Sequence, residues 1–232
     1  MTQVGSASTS LERVWAADRP PVVPDDVTSR QQLSPRIVDD DDWARFQGYI
    51  SEILVAFGLD PATPGTYDTP RRFLQALYDA TSGYEGDPKL LTVFPAEGAA
   101  NSHHGQVIQG PISFHALCEH HALPFHGVAH IAYVPGEHII GISKLIRVVR
   151  LFARRFTVQE RMGEQIAGFL TEALDARGVA VRIEAEHLCT QMRGVHEEQS
   201  KTVTTVWTGA YGDHEHLRLE FLHEARDRGG RR

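Results

Sequence analysis

The chain has 232 residues, 41% hydrophobic and 23% charged, with a formal net charge of −7. That length suits one large domain or two small ones, and the acidic balance argues against a general nucleic-acid binder, which needs a broad basic surface. No apolar run approaches the roughly 20 residues of a membrane span. The start "MTQVGSASTSLERVW" lacks the apolar segment of a secretory signal, so the expected address is the cytoplasm, with no membrane partner.

Residues 1–38, rich in Ser, Thr, Pro and Asp, read as a disordered tail. An N-terminal helical region is expected over 39–105. Its first helix opens at "DDDD" (Asp39 to Asp42), where acidic side chains suit a helix N-terminus. Trp43, Phe46, Ile50, Ile53, Leu54 and Phe57 then recur at helical spacing, and Gly58 ends the run. The second helix is "DTPRRFLQALYDATSGY", capped by Asp68 or Thr69, with Pro70 in its first turn and Gly83 as its stop. "AEGAANSHHG" (96–105) reads as a loop.

A second region, 106–225, alternates differently. "GQVIQGPISFHAL" and "GVAHIAYV" read as strands on either side of "CEHHALPFHG". "SKLIRVVRLFARRF" is amphipathic, with Leu145, Val148, Val149, Phe152 and Phe156 on one face and Ser143 at the N-cap position. The next helix, "VQERMGEQIAGFLTEALDARG", buries Met162, Ile166, Phe169, Leu170, Ala173 and Leu174, with Gly178 expected just past its end. "VAVRIEAEH" and "SKTVTTVWTG" read as strands, a last helix is expected near "HEHLRLEFLHEA", and 226–232 reads as a short disordered tail. The order predicts an α+β fold, an antiparallel sheet backed by helices.

Three features carry chemistry. Cys118 and His121 are three apart, so one tight turn can aim both at a single ion. Cys189, the one other cysteine, follows a strand, and His187 would share its face if that strand continued. Two thiolates and an imidazole leave a fourth position open, as catalytic zinc requires, with His120 and His187 as imidazoles for proton transfer. A thiol nucleophile with an imidazole base, and an ordinary buried thiol, remain open at this point. The second feature is a basic run: Lys144, Arg147, Arg150, Arg154, Arg155 and Arg161. Lys144 and Arg147 fall early in a helix, where backbone N–H groups favour phosphate, although taken alone the run is better explained as a solvated helix face. Arg193 adds a cation after Cys189. The third is "VQER": Glu160 either complements the helix dipole or accepts from an amino-pyrimidine edge such as guanine's, with Gln159 beside it.

Together "CEHH", "GISKLIRVVRLFARR", "VQER", "EAEHLCTQMRGV" and "SKTVT", with "TPRR" upstream, resemble the GTP cyclohydrolase I family in order and spacing, over roughly residues 43–210. The resemblance implies the tunnelling fold, whose subunits join their sheets into a barrel and stack as a homodecamer of two pentameric rings, with active sites between subunits. It implies Zn2+ on Cys118, His121 and Cys189, and catalytic roles for His120, His187 and Ser143. It further implies contacts to GTP from Gln159, Glu160, Lys144, Arg147 and Arg193, with Arg72 reaching a neighbouring subunit's triphosphate. The implied reaction turns GTP and water into 7,8-dihydroneopterin triphosphate and formate. Three positions depart from the family's usual pattern: Thr157 stands where Gln is usual, Gly163 where Thr is common, and Gln75 where many members have Lys.

Overall fold

The computed structural model describes residues 31–91, 93–96 and 105–229. The expected tail over 1–30, the loop over 97–104 and residues 230–232 lie outside the described residues.

Helix α1 spans Asp40–Ala56, and the Asp39 carboxylate accepts from the Asp42 N–H at 2.8 Å, a capping bond that satisfies one of the helix's unpaired donors. It buries none of its residues within the chain, and Ile53 and Phe57 stand 49% and 87% exposed. Helix α2, Thr69–Ala80, lies against it, with Trp43 meeting Tyr78 edge-on at 5.3 Å. This helix stops at Thr81, not at Gly83, which sits inside a single-turn helix over Ser82–Glu85.

Residues 31–36, which composition assigns to the tail, pack on that turn. Gln31 is 3% exposed, and Arg155, itself buried, donates to the carbonyls of Gln31 and Gly83. Burial pushes the Arg155 guanidinium down to about 10, because desolvation penalises its charged form.

Five strands form the main sheet. They are β2 (Val107–Cys118), β3 (Pro124–Val134), β5 (Phe156–Thr157), β6 (Gly178–His187) and β7 (Thr202–Trp207), in the order β5-β2-β3-β6-β7. All neighbours are antiparallel except β5, which runs parallel to β2 at Leu117 and Cys118. Short strands β1 (Phe94–Pro95) and β4 (His138–Ile139) pair separately.

Alternation assigns the faces. Ile112, Phe114, Ala116 and Cys118 share one side of β2; Phe125, Ala129, Ile131 and Tyr133 share it on β3; Val179, Val181, Ile183 and Ala185 share it on β6. Helices α3 (Ile142–Ala153) and α4 (Gln159–Leu174) cover that side. Val148, Val149, Phe152, Met162, Ile166 and Leu170 contribute side chains exposed by 0%, each such burial stabilising by roughly 1.5–3 kcal/mol. A second cluster, Tyr211, Leu217 and Phe221 from α6 (Ala210–Asp213) and α7 (Glu215–Gly229), packs on Ala132, Val134 and Ala180 across the sheet.

Several boundaries differ from the sequence expectation. Gly141, in extended conformation, caps α3, and the Lys144 N–H donates to its carbonyl, so Ser143 lies within the first turn. Phe156 belongs to β5, because the chain leaves the helix at Arg154 to pair with β2. Helix α4 ends on Asp175 with φ 50°, a left-handed cap that an Asp tolerates, and Gly178 opens β6 instead. Helix α7 runs through Gly229, beyond the expected end at 225.

Candidate active site

Three strand ends meet at one edge of the helix-covered face. Strand β2 stops at Cys118, β3 starts at Pro124, and β6, antiparallel to β3, stops at His187. The loop 119–123 therefore closes a hairpin. The Ala122 N–H donates to the Cys118 carbonyl at 2.8 Å and the Cys118 N–H to Leu123 O at 2.9 Å, with Ala122 at φ 54°. This tight turn brings His121 back over Cys118.

Cys189 arrives from β6 by a route that alternation does not predict. The strand ends at His187, and Leu188–Gln191 make one helical turn, α5. That turn swings the Cys189 thiol toward the hairpin. Ligand atoms of Cys118, His121 and Cys189 all lie within 4.8 Å of one another. Tetrahedral zinc with two thiolates needs sulfurs about 3.8 Å apart, given Zn–S bonds of about 2.3 Å, so the set fits an ion with little movement. Burial, and then the neighbouring Cys118, push the Cys189 thiol up, and a cation bound there would favour its thiolate.

His187 stacks flat on Phe125, its register partner across β3 and β6, with centroids 4.7 Å apart and planes 3° from parallel. Its Nε2 lies 2.9 Å from Gln159 Oε1. The Gln159 amide nitrogen donates to Ile183 O and Thr202 O, both at 3.1 Å, which fixes the amide's orientation. Its oxygen therefore accepts, which favours the neutral His187 tautomer that carries its proton on Nε2. Burial lowers the His187 pKa, and the charge of Glu160 opposes that shift.

Gln159 is 1% exposed, and within the chain its amide is engaged by the sheet and by His187, so it orients that histidine. Glu160, the next residue, is exposed at the start of α4.

Other residues gather around the same edge. The Arg193 Nη1 lies 2.8 Å from His121 Nε2, and Cys118 Sγ lies 3.8 Å from His120 Nδ1. Arg161 makes a two-pronged ion pair with Glu119, and Glu119 N donates to Thr157 O at 3.1 Å, which ties the hairpin loop to β5 and the start of α4. Phe125, Gln159 as an orienting group, and the Glu119–Arg161 pair were not legible as such, since each depends on strand register or on a contact between distant segments.

Ser143 and Arg147 face a different cleft of about 580 Å3, whose lining includes Asp87, Arg150 and Arg154 but none of the metal set. Lys144 sits above the Phe94 ring, 5.5 Å from its centroid. Arg72 is exposed on α2 and donates to Gly65 O. The departures from the family pattern are also placed. Gln75 donates to Asp79 at 2.8 Å, Thr157 is buried, and Gly163 lies so near Val206 that an added Cβ would stand 3.1 Å from its Cγ2.

An antiparallel sheet that ends in a Cys/His/Cys set, with an oriented imidazole beside it, defines a candidate metalloenzyme. The GTP cyclohydrolase I family profile matches residues 46–226, and the chain belongs to that family, whose α+β tunnelling fold the sheet and its backing helices share. It is 44% identical over 174 residues to the GTP cyclohydrolase 1 of Coxiella burnetii, covering 75% of this chain and 94% of that protein. The GTP cyclohydrolase 1 proteins of Streptococcus suis and Streptococcus gordonii are 43% and 42% identical over 175 and 183 residues. Those matches cover 75% and 78% of this chain and 91% and 96% of the relatives.

Proposed function

We propose that the chain is a zinc-dependent GTP cyclohydrolase I that converts GTP and water to 7,8-dihydroneopterin triphosphate and formate. Such a reaction opens tetrahydrofolate, pterin or deazapurine biosynthesis, and we place it in the cytoplasm. The observation that carries the proposal is the convergence of Cys118, His121 and Cys189 beside a histidine of fixed tautomer, in a chain of this family.

Two cysteines and one histidine suit zinc and leave a fourth position open. When bound there, zinc makes water acidic enough to act as a nucleophile near neutral pH. The protein's own groups manage the rest. The Glu160 carboxylate accepts from the guanine N1–H and 2-amino group and so holds C8 at the metal end. His187, held through Nε2, exchanges a proton at N7 through Nδ1 as the imidazole ring opens. His120 and Ser143 serve the later proton transfers, in which formate leaves, the ribose rearranges and the new ring closes.

Lys144, Arg147 and Arg193 bind the triphosphate and ribose, with Arg72 reaching in from a neighbouring subunit. In one chain Ser143 and Arg147 line a cleft apart from the metal set, which supports an active site completed between subunits. The apolar residues that α1 leaves exposed, and the outer edge of β7, which no strand among the described residues covers, support a homo-oligomer; we take it to be a decamer of two pentameric rings. The test is turnover of GTP by the purified chain, following formate and the fluorescence of the oxidised neopterin together. Release of both in equal amounts is expected; GTP binding with neither product would leave a purine-binding protein without this activity.

A further inference from the structure

The cleft beside α3 holds an acidic residue facing the arginines. Asp87 Oδ2 accepts from Arg147 Nη1 at 3.1 Å, while its Oδ1 accepts from the Lys89 N–H at 2.9 Å. Both carboxylate oxygens are therefore committed. The backbone of Asp87 is held as well. The Gln31 side-chain amide accepts from the Asp87 N–H at 2.7 Å and donates to the Asp87 carbonyl at 3.2 Å. One buried amide thus fixes both peptide groups of a single residue.

Gln31 is itself anchored. Its carbonyl accepts from the buried Arg155 at 2.5 Å. Downstream, the Ser34 N–H donates to Tyr84 O at 3.0 Å, and Arg36 lies 3.6 Å above the Tyr78 ring while pairing with Glu85. Residues 31–36 so form a strap across 78–87. Its seat is shaped for it: Gly86 has φ 83°, and a Cβ there would stand 2.7 Å from Leu33 and 2.8 Å from Gln31 Oε1. The strap lies upstream of the family-matched residues 46–226.

We infer that Asp87 is a positioning residue for Arg147, and that the Gln31 strap holds Asp87 in place for it. The inference rests on the reading of Arg147 as a triphosphate contact. The Arg147 and Asp87 side chains are 40% and 22% exposed, and an ion pair so open to solvent adds little stability. What it does is orient. A guanidinium carries five donors in a rigid fork; Asp87 takes one and turns the rest toward the cleft. The long side chain then loses less freedom when phosphate arrives.

The test uses the full-length, zinc-loaded enzyme. Gln31→Ala changes no charge, so an effect on substrate comes through position. It should raise the KM for GTP about three- to tenfold with kcat unchanged, and weaken competitive inhibition by inorganic triphosphate by the same factor. Asp87→Glu, which keeps the charge and shifts the carboxylate, should do likewise. Gln31→Ala placed on Arg147→Met should add nothing to Arg147→Met alone, because both act through one side chain. If Arg147→Met weakens GTP and triphosphate while Gln31→Ala and Asp87→Glu leave both unchanged, even with a lowered Tm, the strap is structural only and the inference is overturned while the proposed function stands. If Arg147→Met itself changes neither, the reading of Arg147 falls and takes this inference with it.

Discussion

The Nε2 of His187 lies 2.9 Å from the Oε1 of Gln159, a buried residue 28 positions earlier in the chain. Because the amide nitrogen of Gln159 is spent on two carbonyls of the sheet, this contact sets the protonation of the ring as well as its direction. Gln159→Leu keeps the volume and removes both donor and acceptor. It should retain the metal and lower kcat about tenfold to a hundredfold, the range seen when a partner that orients a metal ligand is lost, with a smaller change in KM. Steady-state kinetics with metal analysis checks this, and unchanged kcat would contradict the orienting role.

His187→Ala removes the group that Gln159 aims. The variant should bind zinc stoichiometrically, because the ring lies outside the Cys118, His121 and Cys189 set. Loss of an acid–base group costs about 10²- to 10⁴-fold in rate, so formate release should become barely measurable. Formate release near the wild-type rate would remove His187 from the chemistry.

Cys189→Ala separates metal binding from folding. The α5 turn lies at the edge of the sheet and buries none of its residues completely, so the variant should fold. It should hold far less than one metal per chain and lose activity in the same proportion. Stoichiometric zinc in this variant would show that the ligand set is wrong.

Glu160→Ala tests recognition of the purine. The carboxylate is exposed at the start of α4, where a helix-dipole contribution is small, so stability should change little. The loss of even one charge-assisted hydrogen bond costs about 1.5–3 kcal/mol, so with two such bonds proposed the KM for GTP should rise by at least tenfold to a hundredfold. Metal content should be unaffected. A KM equal to that of the parent would assign Glu160 to the helix dipole alone.

The parts of this protein legible in its sequence are those that depend on local spacing. Apolar periodicity placed α1, α2, α3, α4 and the long strands, and the three-residue spacing of Cys118 and His121 marked a turn with two donors. Less legible were features decided by tertiary contact. The cap of α3 falls on Gly141 and not Ser143, since pairing around β4 delivers the chain to the helix two residues early. Asp175 ends α4 in a left-handed conformation, a place that propensity gives to Gly178. Cys189 reaches the metal set through a helical turn and not by strand alternation. That Gln159 turns into the sheet and holds His187 while Glu160 faces outward was not legible either: adjacent residues on a helix point about 100° apart, and which of the two turns inward is decided by packing. The packing of residues 31–36 could not be read from a Pro- and Ser-rich composition, because it is fixed by a buried arginine more than a hundred positions away.

The most direct test of the account is one titration. Purified protein is stripped of metal with a chelator, its fold is checked by circular dichroism, and zinc is returned stepwise while formate and dihydroneopterin triphosphate are measured from GTP. The account predicts no product from the stripped protein and full recovery of both products at one zinc per chain. Undiminished turnover by the metal-free protein would contradict it.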